Sequence, residues 1–137
     1  MKLNSVLTFL FIALFTACKG GTYDLSAYGL KPDTGENASP LIAKALQQIA
    51  AESNSDTVRI FLPKGRYDFY PSGSSEREYF ISNHDQDNPK TVGFPLEDWK
   101  GLTVDGQGAD FIFHGRMLPL SLLRSEDCTL RNFSIDF

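Results

Sequence analysis

The sequence predicts an all-β chain forming the first coils of a right-handed parallel β-helix, capped at its start by one amphipathic helix. Three observations point there. Beyond about residue 57 the chain breaks into short β-type runs parted by Gly, Pro, Asn and Asp. A single earlier segment places apolar residues at helical spacing. Leu102-Thr103-Val104 is echoed 26 residues later by Cys128-Thr129-Leu130, each an apolar-Thr-apolar core followed by polar turn residues. An offset in the low-to-mid twenties with about three short strands per period suits a coil that buries its inward side chains only against the coils above and below. A β-sandwich would favour hairpin turns and longer alternating strands.

The first segment reads as a targeting signal. Lys2 gives a positive start, Val6 to Phe15 is apolar apart from one Thr, and Thr16-Ala17 places small residues before Cys18. The apolar stretch falls well short of the roughly 20 residues of a membrane-spanning helix. Residues 1–17 are therefore expected to be removed, residues 18–22 to form a tether, and residues 23–137 to fold.

Tyr23 to Tyr28 reads as a short extended segment and Pro32 to Asn37 as a turn cluster. The helix follows, with Ser39 expected at the N-cap, Pro40 at the first helical position and Leu41, Ile42, Ala45, Leu46, Ile49 and Ala50 on one face. Val58 to Leu62, Tyr67 to Tyr70, Tyr79 to Ile81, Leu102 to Val104, Phe111 to Phe113, Leu120 to Leu123, Cys128 to Leu130 and Phe133 to Phe137 are the expected strands. Pro71 to Arg77 reads as a polar loop, as does Ser82 to Thr91. Because the run at Phe133 to Phe137 ends without a turn or closing helix, the chain is expected to be a truncated β-helix, weakly stable and prone to aggregate.

Composition bounds the function. Aromatic residues are plentiful, with 11 Phe and 5 Tyr, so a packed core is expected rather than disorder. The formal charge of -4 and the lack of a basic stripe argue against nucleic acid as a partner. No Cys/His cluster has metal-ligand spacing and no cofactor is expected; Cys128 reads as a small buried apolar residue.

The most polar cluster lies in Ser82 to Asn88, where His84 and Asp85 are the candidate substrate-binding residues, able to hydrogen-bond a sugar ring. The competing reading is a loop whose side chains satisfy their own backbone. Asp105 and Asp110 sit at expected turns and read as structural, whereas Asp136 follows a strand and is open. Trp99 either stacks on a sugar or covers the core beside Pro95 and Leu96.

Resemblances add to this. Phe15-Thr16-Ala17-Cys18 resembles the lipobox of bacterial lipoproteins, which implies a lipid-modified Cys18 as the first mature residue, anchored to a membrane of the bacterial cell envelope. Tyr28-Gly29, Asp33-Thr34-Gly35, Ala45-Leu46 and Phe61-Leu62-Pro63-Lys64-Gly65-Arg66-Tyr67 resemble the opening of pectin-lyase-like β-helix proteins. Tyr79 to Gln86, Val92 to Leu96, Leu102 to Gly108 and Phe111 to Arg116 resemble the amino-terminal region of glycoside hydrolase family 110, the bacterial α-1,3-galactosidases. That likeness, over about 23–137, implies a glycan substrate with terminal α-galactose. It also implies an inverting glycosidase, in which one carboxylic acid protonates the leaving oxygen and a second carboxylate activates water. The family's catalytic aspartates lie beyond the matched region, so no catalytic residue is assigned. A non-catalytic carbohydrate-binding remnant and a polysaccharide lyase or polygalacturonase-like enzyme are the alternatives.

Overall fold

A computed structural model describes residues 20–80 and 87–137. The order of elements is β1 (Gly21–Asp24), a short 3-10 turn (Leu25–Tyr28), α1 (Ser39–Glu52), β2 (Val58–Phe61), β3 (Arg66–Phe69), β4 (Ser75–Arg77), β5 (Lys90–Glu97), β6 (Leu102–Phe113), β7 (Leu118–Leu123) and β8 (Thr129–Asp136).

In α1, Ile42, Ala45, Leu46 and Ile49 are buried at the spacing of one helical face, while Leu41 is half-buried and Ala50 exposed. The helix starts differently from expectation. Ser39 is its first residue and is itself buried, the cap position is Ala38, and the capping oxygen comes from Asn37, whose Oδ1 accepts the Ser39 N–H at 3.0 Å. That oxygen also accepts the Tyr70 N–H at 3.1 Å, and Asn37 Nδ2 donates to the Ser72 carbonyl at 2.6 Å. Ser39 Oγ donates to the Tyr70 carbonyl at 2.9 Å. The helix start is thus sewn to the chain leaving β3.

The larger sheet has β6 at its centre. β2 pairs with the first part of β6, β3 with its last part, β8 lies along the other edge, and β1 lies beyond β2; all these pairings are parallel. The smaller sheet has the order β4-β5-β7, with β4 antiparallel to β5 and β7 parallel to it. The inner faces meet through aromatic rings: Phe94 of β5 lies 5.4 Å from Phe69 of β3 and 5.3 Å from Phe111 of β6, between centroids. Helix α1 packs against β5 and β4. Leu25, Ile42, Ile49, Ile60, Leu62 and Leu102 complete the core.

This arrangement corrects the expected all-β parallel β-helix. The chain is a mixed unit with a core helix and two unequal sheets, one containing an antiparallel pair, and it forms no solenoid. The physical reason is that alternation of apolar and polar residues specifies which side chains face inward but carries no strand direction. Between β4 and β5 the chain reverses, so that Ser75, Glu76 and Arg77 face Val92, Thr91 and Lys90. Strand lengths also differ from expectation. The runs at 102–104 and 111–113 join into one strand of 12 residues, and β5 and β8 have 8 each. Ser75–Arg77, placed in a loop by the sequence, is a strand, whereas Tyr79 and Phe80 lie outside any strand. The echo has a structural counterpart: Thr103 pairs with Thr129 and Val104 with Leu130.

Candidate functional site

Strand β3 alternates sharply. Tyr67 and Phe69 enter the core, and the alternate residues Arg66 and Asp68 point the other way, as alternation along a strand requires. Asp68 is nevertheless only 5 % exposed and, with Ser39, makes up the buried polar or charged side chains among the described residues. Two cations or donors accompany it. Arg66 donates from Nε at 3.0 Å to Oδ2 and from Nη2 at 2.7 Å to Oδ1. His114, just past the end of β6, places Nε2 at 2.7 Å from Oδ1. Since an ionised carboxylate only accepts, the imidazole donates from Nε2 and leaves Nδ1 to face elsewhere.

The Arg66 guanidinium holds the Asp68 carboxyl below the usual carboxylate range, and His114 adds to this against the opposing effect of burial. Asp68 in turn raises Arg66. The His114 ring lies flat on Tyr70, with centroids 4.2 Å apart and planes 6° from parallel. Beside this group is an open cleft of about 350 Å³ lined by Asp33, Gly35, Arg66, Asp68 and Tyr70. Asp33 is fixed there by accepting the Arg66 N–H at 2.9 Å.

Two other polar clusters hold the strands rather than line this cleft. Glu97 accepts from Arg77 Nε at 3.0 Å and from the Tyr79 hydroxyl at 2.7 Å, and that hydroxyl is 3.0 Å from Ser121 Oγ. Burial works to raise the Glu97 carboxyl, but the bonds from Tyr79 and Arg77 outweigh it and leave it lowered. Asp105 accepts from Asn132 Nδ2 at 3.0 Å, the Gln107 N–H at 3.0 Å and Arg131 Nε at 2.9 Å, which lower it in the same sense. At this point the pairing of β6 with β8 passes from Asp105↔Arg131 to Ala109↔Phe133, so Gly106, Gln107 and Gly108 lie opposite Asn132 alone.

The structure therefore brings together Arg66, Asp68, Tyr70 and His114. The pattern Arg66-Tyr67-Asp68-Phe69-Tyr70 carried the signal for the first three, because two buried aromatics between polar residues mark an outward polar row. His114 had no local signal, being 46 residues from Asp68.

His84, Asp85 and Cys18 lie outside the described residues. Asp105 and Asp110 are inside β6, not in separate turns, and Asp110 accepts from Ser134 Oγ at 2.5 Å. Asp136 is exposed and accepts the Phe137 N–H at 2.8 Å. Trp99 is buried with the core, and Cys128 is half-buried. Among the described residues no three His, Cys, Asp or Glu side chains are placed to hold a metal ion.

No family model matches the sequence. An α-1,3-galactosidase B of Phocaeicola vulgatus is 64 % identical over 135 residues, 96 % of this chain and 22 % of the relative. The chain matches the amino-terminal part of the α-1,3-galactosidase enzymes. An α-1,3-galactosidase B of Bacteroides fragilis is 59 % identical over 116 residues, covering 84 % of this chain and 20 % of that galactosidase. An α-1,3-galactosidase A of Shewanella woodyi is 42 % identical over 113 residues, 82 % of this chain and 18 % of the relative. The chain thus spans about a fifth of the length of the curated galactosidases it matches.

Proposed function

We propose that this chain is the amino-terminal portion of an exported, lipid-anchored glycoside hydrolase of family 110 that removes terminal α-1,3-linked galactose from glycans. On this reading residues 20–137 support the active site, and the bond-breaking carboxylates come from outside them. The observation that carries the reading is the 64 % identity to an α-1,3-galactosidase B across 96 % of the chain.

The chemistry agrees with a supporting role. Inverting hydrolysis requires a carboxylic acid that stays protonated near neutral pH, with a carboxylate about 6.5–9.5 Å away to activate water. A general acid of this kind has its pKa raised by burial or by a neighbouring negative charge. Asp68, Glu97 and Asp105 are instead lowered by their hydrogen-bond donors, as is Asp98 by Arg124. None of the four is therefore suited to be the general acid. Export and anchoring rest on Lys2, the apolar run Val6 to Phe15, and Cys18.

The test replaces the matching segment of the 64 %-identical galactosidase with residues 23–137 of this chain and assays galactose release from an α-1,3-linked galactose disaccharide. Activity close to that of the unaltered relative is expected, with no release by this chain alone. A folded but inactive chimera overturns the reading, and release by the chain alone overturns the assignment of catalysis to residues outside it. Mass spectrometry of the membrane fraction tests the anchor: a mature protein still carrying Lys2 overturns it.

A further inference from the structure

We infer that the cleft beside Asp68 is a subsite for one neutral sugar ring, held by Tyr70, Asp33 and Arg66; the choice of sugar rests on the galactosidase reading. The cleft differs from a mere ion pair in what its lining leaves unused. Arg66 commits Nε and Nη2 to Asp68, while Nη1 has no hydrogen-bond partner among the described residues. Asp33 commits Oδ1 to the Arg66 N–H, and its Oδ2 has no such partner. The Tyr70 hydroxyl has none either, and the ring above it is held in place by stacking on His114. The three side chains that carry these unused groups, one a donor, one an acceptor and one able to do both, line the same opening.

Charge and size narrow the ligand. Asp33 and Asp68 against Arg66 leave the lining with one net negative charge, which repels phosphates and uronates. The Arg66 guanidinium, already bonded to Asp68, disfavours a metal cation or an ammonium group in the same space. The lining offers too few apolar side chains for a hydrophobic guest. A volume of about 350 Å³ is at the lower end of the roughly 300–1,000 Å³ of small-molecule sites, enough for one pyranose ring. Ring hydroxyls, which both donate and accept, match the unused groups.

The test uses the full chain and saturation-transfer NMR with methyl α-galactopyranoside, with galacturonate as the charged comparison. Tyr70→Phe removes the hydroxyl and keeps the ring stacked on His114. Asp33→Asn keeps an oxygen for the Arg66 N–H and tolerates the left-handed backbone at position 33, where φ is 60°. Binding of the galactoside is expected to weaken at least about fivefold in each variant with the melting midpoint unchanged, and galacturonate to bind at least about tenfold more weakly than the galactoside. Binding that survives both substitutions places the sugar elsewhere and overturns the subsite, as does equal binding of galacturonate. Absence of binding to the unaltered chain also overturns it. None of these outcomes alters galactose release by the chimera, so the subsite and the galactosidase reading fail separately.

Discussion

Strands β6 and β8 are neighbours in register, yet their matched residues have different fates. Val104 is buried where Leu130 is half-buried. Phe111 is 2 % exposed and its partner Ile135 is 40 %. Residue type does not explain the contrast. Among the described residues β6 has β2 and β3 on one edge and β8 on the other, whereas β8 pairs with β6 alone. Phe111 accordingly meets the rings of Tyr67, Phe69, Phe94 and Phe133. Periodicity decides the direction of a side chain, and the strands and rings packed around it decide how dry it becomes.

Deleting one ring from each strand breaks this contrast most directly. Phe111→Ala is expected to lower stability by about 3–5 kcal/mol, because a filled aromatic site becomes a cavity. Ile135→Ala is expected to cost under about 1 kcal/mol, since its side chain keeps much of its contact with water. Denaturant titration of both variants checks this, and equal losses would mean that β8 is as well covered as β6.

How much of this was legible follows from the same distinction. The helical face, the β2 run and the 26-residue echo were readable because each is a local pattern of side-chain direction. The reversal between β4 and β5 was not, since direction leaves no trace in alternation. Nor was the continuity of β6, because Asp105-Gly106-Gln107-Gly108 has turn composition although the strand passes through it. None of the site residues was among those singled out from the sequence: the outward row Arg66, Asp68, Tyr70 is a local pattern that could have been found, but the pairing with His114 depends on the parallel register of β3 and β6. The capping role passed from Ser39 to Asn37 because Asn37 also had to hold Tyr70, a residue remote in sequence.

A smaller effect sharpens the comparison on the second sheet. A Cβ added at Gly93 would lie 2.6 Å from Phe113 Cε1 and 2.8 Å from the Pro119 carbonyl oxygen, so Gly93→Ala is expected to cost about 1–3 kcal/mol through overpacking. A second variant, Phe113→Leu combined with Gly93→Ala, should recover part of the loss if the ring is the obstacle.

Asp68→Asn comes next, at about 1–2 kcal/mol near neutral pH, from weaker bonds to Arg66 and His114. Its pH dependence has a definite sign. The folded-state pKa is depressed, so the carboxylate contributes stability above its unfolded value of about 3.9, and that contribution is lost as pH falls through the folded value. Melting curves from about pH 7 to about pH 2 should therefore fall less steeply on the acid side in Asp68→Asn than in the parent. The smallest effect is expected at Arg124, whose pairing with Asp98 at 2.6 Å is exposed on both sides. Arg124→Ala should leave the melting midpoint unchanged within error, because water replaces such a pair at little cost.

The joint at Asp105 acts on β8 as a detent acts on a sliding bar. Three residues of β6 stand opposite Asn132 alone, and both Gln107 and Asn132 have left-handed backbones, with φ of 51° and 59°. Moving β8 along β6 by two residues would preserve the inward and outward alternation, so alternation by itself offers no resistance to that slip. It would, however, carry Asn132 away from the kink it faces and separate Arg131 and Asn132 from the carboxylate they share. Two neighbouring strands are thereby indexed to a single position by a feature that contributes almost nothing to the core.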